Sequence, residues 1–178
     1  MQNPSVPTTV VEDRGLALHM QFVFSESRRV LRVHYTLDNR SGGAIAVFDR
    51  GDSASVAMHK LAFGAVPAPL TEQGDDALTL TLRALPLPKH TPTVPRIPLA
   101  ARLDAGRSLA GDFSTGIDAS LTRVRACIGV AAFSDDLFSD PKDANGLEIR
   151  RASFKAVDRQ RLLCTSWFDL ETRTFMAH

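Results

Sequence analysis

The sequence predicts an all-β chain folded as a single antiparallel β-sandwich with extended loops. Three observations carry the prediction. Short runs of alternating apolar and polar residues recur along the chain, turn-forming residues separate them, and no segment sustains a helical period. The 178 residues fit one domain, and a chain of this length buries roughly 70% of the surface it exposes when unfolded. No internal repeat or low-complexity linker divides it. The expected organisation is a flexible N-terminal arm over 1–14 and a sandwich domain over 15–178.

Residues 1–14 hold two prolines and little periodicity, which reads as a loose arm or an edge segment. In GLALHMQFVF, Leu16, Leu18, Met20, Phe22 and Phe24 share one face of a strand, with Ala17, His19, Gln21 and Val23 opposite. LRVHYTLD repeats the pattern, with Leu31, Val33, Tyr35 and Leu37 inward and Arg32, His34, Thr36 and Asp38 outward. The turn residues Asp38–Gly43 follow, then AIAVFD as a further strand, so the pair is a hairpin or a corner between sheets. VAMHKLAFG is a weaker strand candidate and ALTLTLRALPL a strong one. Prolines 86, 88, 92, 95 and 98 then forbid a central strand and predict an extended crossover. Asp104-Ala105-Gly106 predicts a tight turn, TRVRACIGVAAF a central strand, and SDDLFSDPKDANG a polar loop. LEIRRASFKAV and RLLCTSWFDLE read as a closing pair of strands joined across Asp158-Arg159-Gln160.

Composition narrows function mainly by exclusion. A formal net charge of +1 supplies no overall field for nucleic acid or anionic lipid. No apolar run is long enough to span a bilayer. The opening MQNPSVPTTVVEDRG lacks the basic start and apolar centre of a secretory signal, which predicts a cytoplasmic protein. Two cysteines, Cys127 and Cys164, are too few for a disulfide-framed scaffold. Both fall in strands, where a thiol packs as a small hydrophobe, so unbridged core thiols are expected and pairing stays open.

Several short patterns bear on chemistry. Arg50-Gly51-Asp52 follows a strand; it reads as a turn at Gly51 with Asp49 and Asp52 capping the backbone rather than as an adhesion signal. GRSLAG is one residue too long for a nucleophile elbow, leaving Ser108 a loop hydroxyl. The histidines His19, His34, His59, His90 and His178 lack metal-binding spacing. The acidic loop fails the EF-hand pattern, since Pro141 and Ala152 occupy the end ligand positions, but Asp140, Asp143, Asn145 and Glu148 are oxygen donors for a looser calcium site. Arg150, Arg151, Lys155, Arg159 and Arg161 form a basic group split by the pleat, with few aromatic neighbours for stacking on bases. Lys89, Pro92 and Pro95 match a ligand spacing of proline-recognising domains, or simply stiffen the crossover. No phosphate loop or dinucleotide fingerprint occurs, so no cofactor is expected.

Over Val30–Asp52, the stretch YTLDNRSGGAIAVFD resembles the strand–turn–strand of bacterial Ig-like or fibronectin-like sandwiches, and is similar to small intracellular proteinase-inhibitor-like sandwich domains. The resemblance implies an Ig-like sandwich; the Cys…Trp…Cys arrangement of antibody domains is absent, because Trp167 follows both cysteines. The expected function is a non-catalytic binding or structural module for an unknown protein partner. It would act through loops at one end, namely the Asp38–Gly43 turn, the Phe48–Ser53 loop and the Asp135–Gly146 loop, or through edge strands, with a homodimer as one outcome. Asp38, Asn39, Arg40, Asp49, Arg50 and Asp52 are the candidate contacts. The alternatives are a hydrolase or metal-dependent enzyme with a site near His34, Asp38 and Asp49, and a proteinase inhibitor presenting the 86–98 connection.

Overall fold

The computed structural model describes residues 5–90 and 95–177. In chain order its first elements are β1 (Thr8–Asp13), β2 (Leu16–Ser25), β3 (Val30–Asn39), β4 (Ile45–Val47), α1 (Ser53–Ala57), β5 (Leu70–Gln73), β6 (Ala77–Leu82) and β7 (Leu99–Leu103). Then come β8 (Ser108–Gly116), β9 (Arg123–Ala132), β10 (Phe138–Ala144), β11 (Leu147–Ala152), α2 (Phe154–Asp158), β12 (Arg161–Cys164), β13 (Phe168–Asp169) and β14 (Thr174–Phe175). The chain is all-β in two sheets, one of four strands in the order β1-β2-β3-β8 and one of ten.

The four-stranded sheet follows directly from the alternation in the sequence. Leu18, Met20 and Phe22 on β2 and Leu31, Val33 and Tyr35 on β3 are all buried between the sheets, where period-two patterning sends one face inward. Phe22 packs against Phe168 and Phe175 of the larger sheet at 5.2 and 4.8 Å between ring centres. Of the two descriptions of the N-terminus, the edge segment applies to Thr8–Asp13, which pairs along its whole length with β2. Asp13 also accepts from Arg161 Nε at 2.8 Å, tying this edge to β12.

The ten-stranded sheet is organised around β9. Val47 and Arg161 both pair with Val130, so β4 and β12 flank β9 on opposite sides. Cys127 and Ile128 pair with both β6 and β12, which places β6 on the side of β4. Two separate branches therefore leave the same edge of β9: β4-β7-β11-β10 from its C-terminal end and β6-β5 from its N-terminal end. The β6–β9 pairing is parallel, which corrects the expectation of a wholly antiparallel sandwich. It arises because β7 and β8 intervene between the two strands, so no hairpin constrains their direction.

Beyond Leu82 the chain leaves the ladder and passes over Gly129. A Cβ there would crowd Gln160 Oε1 and lie 3.3–3.4 Å from Arg83, so glycine lets the chain cross closely. The Gln160 amide replaces the lost strand partner, donating to Ala84 O at 2.8 Å and accepting from Ala84 N at 3.2 Å. Ala84 then joins a second, smaller core on the outer face of the sheet, with Phe48, Ala131, Phe138, Ala156 and Val157 beneath α2.

Of the two readings of the Asp38–Gly43 turn, the corner applies, since β3 and β4 belong to different sheets. Buried Asn39 holds it, donating to Gly43 O at 2.9 Å and Leu103 O at 3.0 Å. VAMHKLAFG is not a strand: Asp52 caps α1 through Ser55 N at 2.9 Å, and turns follow. The acidic stretch is not all loop, because β10 pairs with β11 across Asn145-Gly146, whose φ angles of 52° and 86° suit a tight hairpin turn. LEIRRASFKAV breaks at Ser153, which caps α2, and RLLC pairs with β9 rather than with its predecessor. That pairing sets Cys164 directly opposite Cys127, with Cα atoms 4.1 Å apart and the sulfurs bonded, so the thiols are not free. Thr165 N donates to Ala126 O at 2.9 Å, which makes the cysteines the close, non-hydrogen-bonded pair of the ladder.

Among the described residues, no helix is long and apolar enough to cross a membrane.

Candidate functional site

The Arg50-Gly51-Asp52 triplet is built into the protein rather than displayed by it. Asp49 is fully buried and accepts from Tyr35 OH at 2.6 Å and from Arg50 Nε at 3.1 Å. Arg50 continues inward, donating to Gly64 O at 3.1 Å and Ala110 O at 3.2 Å, and so joins the loop after α1 to the edge of the other sheet. Gly51 has φ +76°, and Asp52 is spent on the α1 cap. Burial, then the neighbouring Asp49 charge, raises the Tyr35 phenol far above its ordinary range. Burial also pushes the Asp49 carboxyl up, against the pull of Arg50 and the Tyr35 hydrogen bond. Asp49 thus holds Tyr35 and Arg50 rather than capping the turn.

Asp38 sits on the outer face of the four-stranded sheet. It accepts from Ser108 Oγ at 2.6 Å and meets His19 Nε2 at 3.2 Å, with Arg40 at 3.4 Å. The Ser108 hydroxyl, then His19 and Arg40, hold its carboxyl below the usual range. Ser108 opens a strand instead of occupying a loop. His34 faces Gln21 and Asp112 across the ladders on either side. The structure therefore does not gather His34, Asp38 and Asp49: the first two lie on β3 positions alternate to Tyr35, and Asp49 lies with Tyr35 in the core.

The calcium candidates are occupied by local contacts. Asp140 lies 3.6 Å from Lys142 Nζ, Asp143 accepts from Gly146 N at 3.3 Å, Asn145 makes the turn, and Glu148 accepts from Arg150 Nε at 3.2 Å. Among the described residues no three His, Cys, Asp or Glu side chains gather to hold a metal. The basic group is divided further than the pleat implied, since Lys155 lies on α2 and Arg161 is bonded to Asp13. Pro92 and His178 lie outside the described residues.

The site the sequence did not suggest is a cleft of about 560 Å³ where the ten-stranded sheet divides. Phe48 and Leu82, each on a different branch where it meets β9, both line it. Leu61, Leu70, Leu85 and Pro86 add an aliphatic wall, and Lys60, Arg83 and Arg96 bring positive charge to it. Of the loops expected to bind, Phe48–Ser53 contributes Phe48, Gly51 and Asp52 here; Asp38–Gly43 lies at the other end of β4. The available signals were Gly129 within the apolar half of its strand, ACIGVAA, and the abrupt change from ALTLTL to RALPLP. Neither reveals that two branches diverge at one strand. No family model, curated protein or solved structure matches the chain, so the cleft is read from its own chemistry alone.

Proposed function

We propose that this protein is a non-catalytic binding module built on an Ig-like β-sandwich, and that the cleft at the division of the larger sheet is its ligand site. The observation that carries the reading is an apolar concavity of about 560 Å³ with charged groups at its margin, a size and character common to small-ligand sites. Its walls are anchored on both sides. Arg50 fixes the Phe48–Asp52 segment, and Gln160 fixes the Arg83–Leu85 segment. Such a site is already shaped before a ligand arrives, which lowers the ordering cost of binding. The Cys127–Cys164 bridge also favours an oxidising compartment over the cytoplasm expected from the sequence.

Two-dimensional NMR titration with a fragment library tests the site. Shifts gathered on Gly51, Leu82 and Ala84 support the reading. Shifts gathered on another surface overturn it.

A further inference from the structure

We infer that the cleft takes a single-chain aliphatic carboxylate, its tail along the leucine and proline wall and its head group at the basic margin. This rests on the cleft being the binding site. Charge supplies the first argument. Lys60, Arg83 and Arg96 are exposed, and none forms an ion pair among the described residues. The single acid lining the cleft, Asp52, has its oxygens engaged by Ser55 N and Ser55 Oγ, both at 2.9 Å. Three cations thus face the cleft with one acid, itself committed to a helix cap, and an anionic head group complements them.

The wall supplies the second argument. Pro67, Pro86, Pro88 and Pro98 line it, and proline has no backbone N–H to pair with an added peptide strand. Ala84, whose backbone could otherwise offer both groups, is already bonded by the Gln160 amide. The exposed Leu85 and Leu70, 47% and 41% accessible, lie at the same cleft and offer aliphatic surface to a chain-like tail. Apolar tail and anionic head therefore each meet complementary side chains in one concavity.

The experiment is titration of the full chain with dodecanoate below its micelle concentration, followed by NMR shifts and calorimetry. Dodecan-1-ol and dodecylamine serve as head-group controls, and vesicles of anionic phospholipid as a surface control. Dodecanoate is expected to shift the cleft residues and to bind about tenfold or more tightly than dodecan-1-ol, as a charge-assisted contact would give. The variant Lys60→Gln/Arg96→Gln changes only exposed side chains, and is expected to lose that advantage while keeping the alcohol's affinity and the wild-type melting temperature. Equal binding of alcohol and carboxylate at the cleft, unaffected by the variant, overturns the carboxylate and leaves the cleft as the site. Vesicle binding without dodecanoate binding also overturns the free carboxylate. If no probe shifts the cleft residues, the cleft itself is refuted along with its ligand.

Discussion

Tyr35 donates its phenol proton to Asp49 across the main core at 2.6 Å, and neither residue has accessible surface. Tyr35 is also the only tyrosine in the chain. Its folded-state pKa is raised above the unfolded value, so the stability it contributes is complete below about pH 10 and is lost as pH rises. The unfolded chain releases a proton that the folded chain keeps, at about 1.4 kcal/mol for each pH unit beyond that point. Tyrosinate absorbance should appear together with the loss of near-ultraviolet circular dichroism. Ionisation near pH 10 in a chain that stays folded would contradict the buried bond.

Arg50 is 7% exposed and, among the described residues, supplies the only cation bonded to Asp49. Arg50→Met should therefore cost about 3–5 kcal/mol, because an uncompensated carboxylate stays buried. Asp49→Asn/Arg50→Met should recover part of the loss by removing that charge as well. Urea unfolding of both variants measures the difference, and a double variant less stable than the single one would reject the account.

Gly129→Ala should destabilise by about 1–3 kcal/mol, as overpacking does, since the added carbon crowds Gln160 Oε1 and lies 3.3 Å from Arg83. Gln160→Ala on the same background removes the nearer clash but also the amide that holds Ala84. A double-mutant cycle should show coupling between positions 129 and 160. Strict additivity would mean the crossing chain can move freely away.

Reduction of Cys127–Cys164 opens a link with a sequence separation of 37. For a loop of that size, chain entropy accounts for about 4 kcal/mol. The denaturation midpoint should fall on adding reductant, while Cys127→Ala/Cys164→Ala should be insensitive to it. An unchanged midpoint in the parent protein would show that strand pairing alone fixes β12.

Much of the fold was legible because it depends on local alternation. Leu18, Met20 and Phe22 announce an inward face without reference to any other strand, and Asp104-Ala105-Gly106 announces its turn. The errors concern partners. RLLC looks like a mate for the strand before it, but Ser153 starts a helix and sends the chain to the far side of β9. The bridge stays open in the sequence for the same reason, since Cys127 and Cys164 become opposed only through that register. At the candidate site, Asp49 and Arg50 looked like turn residues because their burial depends on Tyr35, Gly64 and Ala110. The cleft was hidden more deeply, since it exists only where two branches part.

The position of β9 as the shared neighbour of β4, β6, β12 and β13 also constrains the order of assembly. Two of those partners precede it in the chain and two follow it. On the ribosome, β9 emerges able to meet β4 and β6, but one of its flanks waits for β12 and β13. A nascent chain halted before residue 161 would present that flank, with Cys127 as a thiol awaiting its mate, to anything able to add a strand. Completion of the larger sheet thus waits until the segment carrying β12 and β13 has been made.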